Sequence, residues 1–253
     1  RLAGLFALWG AGRIAILTSA WIGTGPAVAI DVSFLAVFGL VIGREIVTGS
    51  NWRNAKMLVA IAMMCFANVL FHAECVGLLA GHHGKRLGLA VILMLIMLIG
   101  GRIIPSFTRN WLARRPGSRL PVAFNMLDGL VMIDSAVVLL LWVALPDSVL
   151  TGSLAAVVGI LHIARLSRWA GDRTVEEPLL LILHVAYAFV PLGFLLLGAA
   201  ILVPGAVPDS AAIHAWTAGG IGLMTLAVMT RASLGHTGHA LTASPGILAV
   251  YAL

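Results

Sequence analysis

The chain has 253 residues, is 60% hydrophobic and only 10% charged, and has a mean hydropathy of +1.04. An ordinary soluble domain carries about 25% charged residues, so this composition excludes one and points to an integral membrane protein. The net charge of +6 does not indicate nucleic acid: no DNA- or RNA-binding motif is present, and the basic residues gather in loops on one side of the predicted spans.

Apolar runs of membrane-crossing length predict an all-α polytopic transmembrane helical bundle, a single domain over 1–253. Eight complete spans are expected, at about 2–22, 27–43, 56–81, 87–105, 124–145, 152–170, 179–203 and 211–232. A ninth begins near Pro245 and stops at Leu253 within an apolar run, so the chain is expected to be a fragment of a longer protein. Arg44, Arg53 and Lys56 follow the second span, and Arg109, Arg114, Arg115 and Arg119 follow the fourth. Arg165, Arg168 and Arg173 lie at and beyond the end of the sixth, and Arg231 ends the eighth. Of the opposite loops, only "GHHGKR" holds basic residues. Basic loops favour the cytoplasm, so the N-terminus is expected to be cytoplasmic and "GHHGKR" to face outward.

The fourth span ends in "GGRIIPSFTRNWLARR", residues 100 to 115. Its last half reads as the basic cytoplasmic flank, with Trp111 suited to the interface. Arg102 lies one turn deeper, where an arginine must snorkel or meet a partner. Asp128, near the same face on the next helix, is a candidate partner. Gly100 and Gly101 would let a neighbouring helix or a flat cofactor approach the backbone.

Four histidines, His72, His162, His184 and His214, fall inside predicted helices, where the side chain is costly and usually faces the bundle interior. One such histidine reads as packing; four on four helices point to a metal or haem site. His162 and His184 lie at similar depths on consecutive helices, and two neutral imidazoles from different helices can hold a b-type haem iron. On the third span, Cys65, Asn68, His72 and Cys75 are spaced three, four and three apart and share a face. Thiolate and imidazole suit copper, although free cysteine also serves as a small buried apolar residue. Ten residues of helix hold Cys65 and Cys75 about 15 Å apart, too far for a disulfide. Glu74, Asp128 and Asp134 are acids at membrane depth, each expected to meet an arginine or join a proton relay. "GHHGKR" with His82 and His83, and "LGHTGH" with His236 and His239, are weaker metal-binding candidates. No P-loop, CxxCH, HExxH or nucleotide-binding glycine pattern is present.

"GGRIIPSFTRNWL" (100–112) and "HAWTAGGIGLMTLAVMTRASLGHTGH" (214–239) resemble the two signature stretches of the NnrS family. "AFNMLDGLV" (123–131) and "EPLLLILHVAYAF" (177–189) are similar to its intervening segments. The resemblance implies a bacterial inner-membrane protein containing haem b and copper, linked to denitrification and nitric oxide stress, with nitric oxide as a candidate small ligand. It carries onto Arg102, Pro105, Thr108 and Arg109, and onto His72, His184, His214, Arg231 and His236. Where the family commonly has a basic residue after "HTG", this chain has His239. On this basis Arg102, Arg109 and Arg231 are expected to clamp haem propionates at the cytoplasmic edge. His184 is the expected axial ligand, with His162 or His236 completing or tuning the site. The alternative reading is a transporter or metal exporter that uses intramembrane histidines and acids as a relay.

Overall fold

A computed structural model describes residues 2–115, 117 and 119–252 of the chain. Among these residues there is no strand; the helices are α1 (Leu2–Leu17), α2 (Ser19–Ile22), α3 (Thr24–Thr48), α4 (Ala55–Cys75), α5 (His83–Leu112), α6 (Met126–Ala144), α7 (Val149–Ser167), α8 (Pro178–Leu202), α9 (Ala211–His236) and α10 (Pro245–Ala252), with two short 3₁₀ turns between them. Seven of them, α3 to α9, are long and apolar enough to cross a membrane. The all-α polytopic membrane bundle predicted from the sequence is thus the observed architecture.

Several boundaries differ from the sequence reading. The first predicted span ends as a 16-residue helix at Leu17 followed by the four-residue α2. At 1.5 Å per residue α1 is about 24 Å long, short of the roughly 30 Å hydrocarbon layer. The third span stops at Cys75 rather than near 81, and α5 starts at His83, so "GHHGKR" is largely the first turn of a helix. Glu74 accounts for both changes. Its carboxylate accepts the free backbone N–H groups of His83 (2.5 Å) and Gly84 (3.2 Å) at the start of α5. A carboxylate suits a helix N-terminus electrostatically. Glu74 is therefore a helix cap. At its other end α5 runs through Pro105 to Leu112, past the predicted end at 105.

The chain divides into two compact units, 1–91 and 92–253. In the first, α3 packs against α1 and α4. Asp31 of α3 is buried and holds this group together: it pairs with Arg13 of α1 and accepts from Asn68 (3.2 Å) and His72 (2.9 Å) of α4.

In the second unit α7 and α8 pack along an extensive seam. Their seam is made close by small residues: a β-carbon on Gly159 would sit 2.8 Å from the Leu195 side chain. Helices α6 and α7 are antiparallel, since Asp128, Ser135 and Leu145 meet Arg165, His162 and Thr151 in reversed order. The start of α6 is fixed by a reciprocal cap. Asn125 accepts from Leu127 N–H, and Asp128 accepts from Asn125 N–H. In α9 residues Ala215–Leu223 form a π-helix, from which Trp216 donates to the Val190 carbonyl of α8 (3.1 Å). π-helical turns are rare and concentrate at functional positions.

Candidate functional site

A buried polar network crosses the second unit. Arg165, 1% exposed, donates from Nε to Asp128 Oδ1 (2.9 Å) and from Nη1 to the Tyr187 hydroxyl (2.7 Å). Arg168 Nη1 lies 3.4 Å from Asp128 Oδ2. A buried charge is tolerated only when it is paired and hydrogen-bonded, and here one carboxylate balances Arg165 directly. The partner expected for Asp128 was Arg102. The structure corrects this: Asp128 is taken by Arg165 and Arg168, while Arg102 is exposed and lines a cleft.

The network fixes proton positions. Ser135 has one hydroxyl proton and gives it to the Val131 carbonyl (2.6 Å), so it accepts from His162 Nε2 (2.8 Å). His162 is then the neutral Nε2–H tautomer, and its Nδ1 accepts the Tyr187 hydroxyl (3.2 Å). Both ring nitrogens of His162 are engaged within the bundle. Thr108 repeats the logic one layer away. Its hydroxyl donates to the Ile104 carbonyl (2.9 Å), so His184 Nε2 donates to Thr108 (2.9 Å). That leaves a lone pair on His184 Nδ1, which is buried and has no partner. The space beside it exists because residue 171 is glycine: a β-carbon there would sit 2.6 Å from Nδ1.

Beside the network lies a cleft of about 790 Å³ lined by Arg102, Arg109, Arg165, Pro105, Phe124 and Met132, among others. Gly101 and Pro105 shape this wall. Pro105 has no N–H to offer the Gly101 carbonyl, and the Arg165 guanidinium lies where a Gly101 side chain would be. The space at "GGR" is filled by an arginine from α7. Arg109 donates to the Pro121 carbonyl. Beyond the cleft, Arg115 pairs with Glu176 and Arg119 with Asp172, both at 2.5 Å and at the surface.

The chain matches the family model described as NnrS protein over residues 1–253. It belongs to the NnrS family. No curated protein and no solved structure matched it.

The NnrS signature stretches can now be placed. From the first come Arg102 and Arg109 at the cleft and Thr108 behind it, buried against His184. From the second, His214 is exposed and bonds its own Ser210 carbonyl (2.8 Å). Arg231 lies over the Phe107 ring (4.6 Å), and His236 is exposed. In the first unit, His72 is held through Nε2 by Asp31. Cys65 lines an apolar groove between α3 and α4, and Cys75 is exposed; both are free thiols. Among the described residues no three His, Cys, Asp or Glu side chains converge on a point that could hold a metal ion. The shared face of Cys65, His72 and Cys75 is a stripe along α4, as the helical rise dictates. The residues that sequence reasoning passed over are Arg165, Tyr187, Ser135 and Trp169.

Proposed function

We infer that this NnrS-family membrane protein binds haem b and copper in the bacterial inner membrane and serves the response to nitric oxide, with the basic loops that follow α3 and α5 cytoplasmic. The observation that carries the haem part is His184. A neutral imidazole whose Nε2–H is fixed by Thr108, with a buried unpartnered Nδ1 lone pair beside a glycine cradle, has the features of a prepared ligand. The arginines of the cleft supply cationic forks for carboxylates among apolar walls, as haem propionates need. When bound, haem would supply ligand binding or one-electron chemistry at iron. Residues of this chain would orient His184 through Thr108 and neutralise the propionates through Arg102 and Arg109. Arg231, over Phe107 on the neighbouring stripe of α5, is a further candidate clamp. Copper has no gathered ligand set among the described residues, and its proposal rests on the family resemblance and on the thiolate and imidazole side chains of Cys65, His72 and Cys75 along α4.

The transporter reading keeps one observation. Asp134 of α6 is half-buried, and no hydrogen bond or ion pair holds it among the described residues. Asp31, Glu74 and Asp128, by contrast, are all occupied. One experiment separates the two. Purified protein should show haem absorbance, oxidised and reduced, with iron and copper by elemental analysis. His184→Ala should shift the Soret band or empty the site. Protein free of iron, with Asp134-dependent ion flux in vesicles, would replace the haem reading by transport.

A further inference from the structure

Six buried rings touch in sequence through the second unit. Trp169 meets Tyr187 (centroids 4.5 Å apart), Tyr187 meets His162 (5.9 Å), and His162 stacks on Phe194 (5.7 Å, 7° between planes). Phe194 meets Trp216 (5.1 Å), and Trp216 meets Trp142 (5.3 Å). None of the six is more than 4% exposed. Trp169 lies two residues beyond the end of α7, and Trp142 two before the end of α6. Because these helices are antiparallel, the line joins opposite ends of the pair.

Aromatic packing alone would account for rings in contact. It does not account for the hydrogen bonds at Tyr187. The phenol is fully buried, donates to a histidine lone pair, and accepts from Arg165. That histidine is pinned in the accepting tautomer by Ser135. A phenol loses an electron readily only if its proton has somewhere to go, and His162 Nδ1 is positioned to take it.

We propose that Tyr187 is a redox-active tyrosine, with His162 as its proton acceptor, in a line of rings that passes an electron along the second unit. One electron leaves the Tyr187 ring to a one-electron oxidant by way of Trp169. The Tyr187 O–H bond breaks, its proton forms an N–H bond at His162 Nδ1, and a neutral tyrosyl radical remains beside the Arg165 donor. The imidazolium so formed keeps its Nε2–H bond to Ser135. Re-reduction by a one-electron donor, by way of Trp142 and Trp216, returns the electron, and the proton goes back from His162 Nδ1 to the phenolate oxygen. The Tyr187 to Trp216 step is the longest. It is bridged by Phe194, seven residues and about 10.5 Å along α8 from Tyr187. This proposal goes beyond the cofactor reading and stands without it, since the oxidant can be supplied from outside.

The chain has two tyrosines, Tyr187 and Tyr251, so a radical can be assigned. The purified full chain is oxidised with photogenerated tris(bipyridyl)ruthenium(III) and read by electron paramagnetic resonance and transient absorption. A tyrosyl signal is expected in the wild type and in Tyr251→Phe. In Tyr251→Phe protein grown on ring-deuterated tyrosine its hyperfine pattern should collapse, which assigns Tyr187 without altering it. Tyr187→Phe should abolish the signal. His162→Gln should slow radical formation by about a hundredfold, the low end of base assistance, and deuterium oxide should slow the wild type. A wild-type signal that is absent, tryptophanyl only, or confined to Tyr251 overturns the proposal; unchanged kinetics in His162→Gln overturn its proton step.

Discussion

The Arg165 guanidinium lies against the backbone of Gly101, in space that a β-carbon would occupy. This contact joins the "GGR" turn of α5 to the buried network of α6, α7 and α8. Gly101→Ala would push Arg165 off Asp128 and Tyr187. Overpacking of this kind costs about 1–3 kcal/mol, so thermal unfolding in detergent should move to lower temperature. An unchanged midpoint would mean that the guanidinium does not rest there.

Arg165→Met should be more damaging. It removes the cation that neutralises buried Asp128, and breaking a buried pair by deleting one partner costs about 3–5 kcal/mol. Arg168, at 3.4 Å from the other carboxylate oxygen, should soften the loss. Adding Asp128→Asn removes the orphaned charge and should recover part of the stability. Strictly additive losses in the two single variants and the double would show that the residues are not coupled.

The contrast between these residues shows what was legible in the sequence. The helices were, because apolar runs of membrane length leave few alternatives. His184 was legible too, as a histidine inside a span and within a family-like segment. Arg165 was not. Near a helix end an arginine reads as a flank, and loop counting cannot tell a snorkelling arginine from a buried one. The signal lay in spacing: Arg165 falls three residues after His162, on the same helical face. Ser135 escaped, and the bond of Thr108 to His184 with it, for another reason. A hydroxyl in a membrane helix ordinarily bonds its own i−4 carbonyl, as both do here, and only the fold shows which histidine uses the remaining lone pairs. The six-ring line was equally hidden, because it draws on α6, α7, α8 and α9 at once.

The cleft arginines lead to a separate prediction. Arg102 and Arg109 are exposed and lie on the cleft wall without a buried carboxylate of their own, so removing them costs little stability. If they hold propionates, Arg102→Ala with Arg109→Ala should lower haem retained through purification while the Soret position stays put, since no iron ligand is lost. Haem content equal to that of the wild type would assign both side chains to ordinary snorkelling.

Orientation is open to direct labelling. Asp147, in the turn between α6 and α7, and Ser210, before α9, lie at one end of the second unit's helices, and Arg114 beyond α5 lies at the other. In a background with Cys65 and Cys75 replaced by serine, Asp147→Cys and Ser210→Cys should react with an impermeant maleimide from the periplasmic side. Arg114→Cys should react only after the membrane is opened. The reverse pattern would invert the proposed topology.

Gly171→Ala gives the most specific test of the His184 site. The glycine lies in the 3₁₀ turn between α7 and α8, outside the spans, and its φ is not in the left-handed region, so alanine brings no backbone strain there. What it brings is a methyl group 2.6 Å from His184 Nδ1. That is too close for the imidazole to stay in place, and it closes the space beside the free lone pair. If Nδ1 is the ligand atom, haem binding or the Soret band should change in Gly171→Ala nearly as much as in His184→Ala, with unfolding little altered. Thr108→Val should give a weaker version of the same spectrum, because it frees Nε2 and lets the ring turn. A wild-type spectrum in Gly171→Ala alongside a changed one in His184→Ala would move the ligand atom to Nε2 and require the Thr108 bond to break on binding. Wild-type spectra in both would remove His184 from the iron and return the search to His72 and His214.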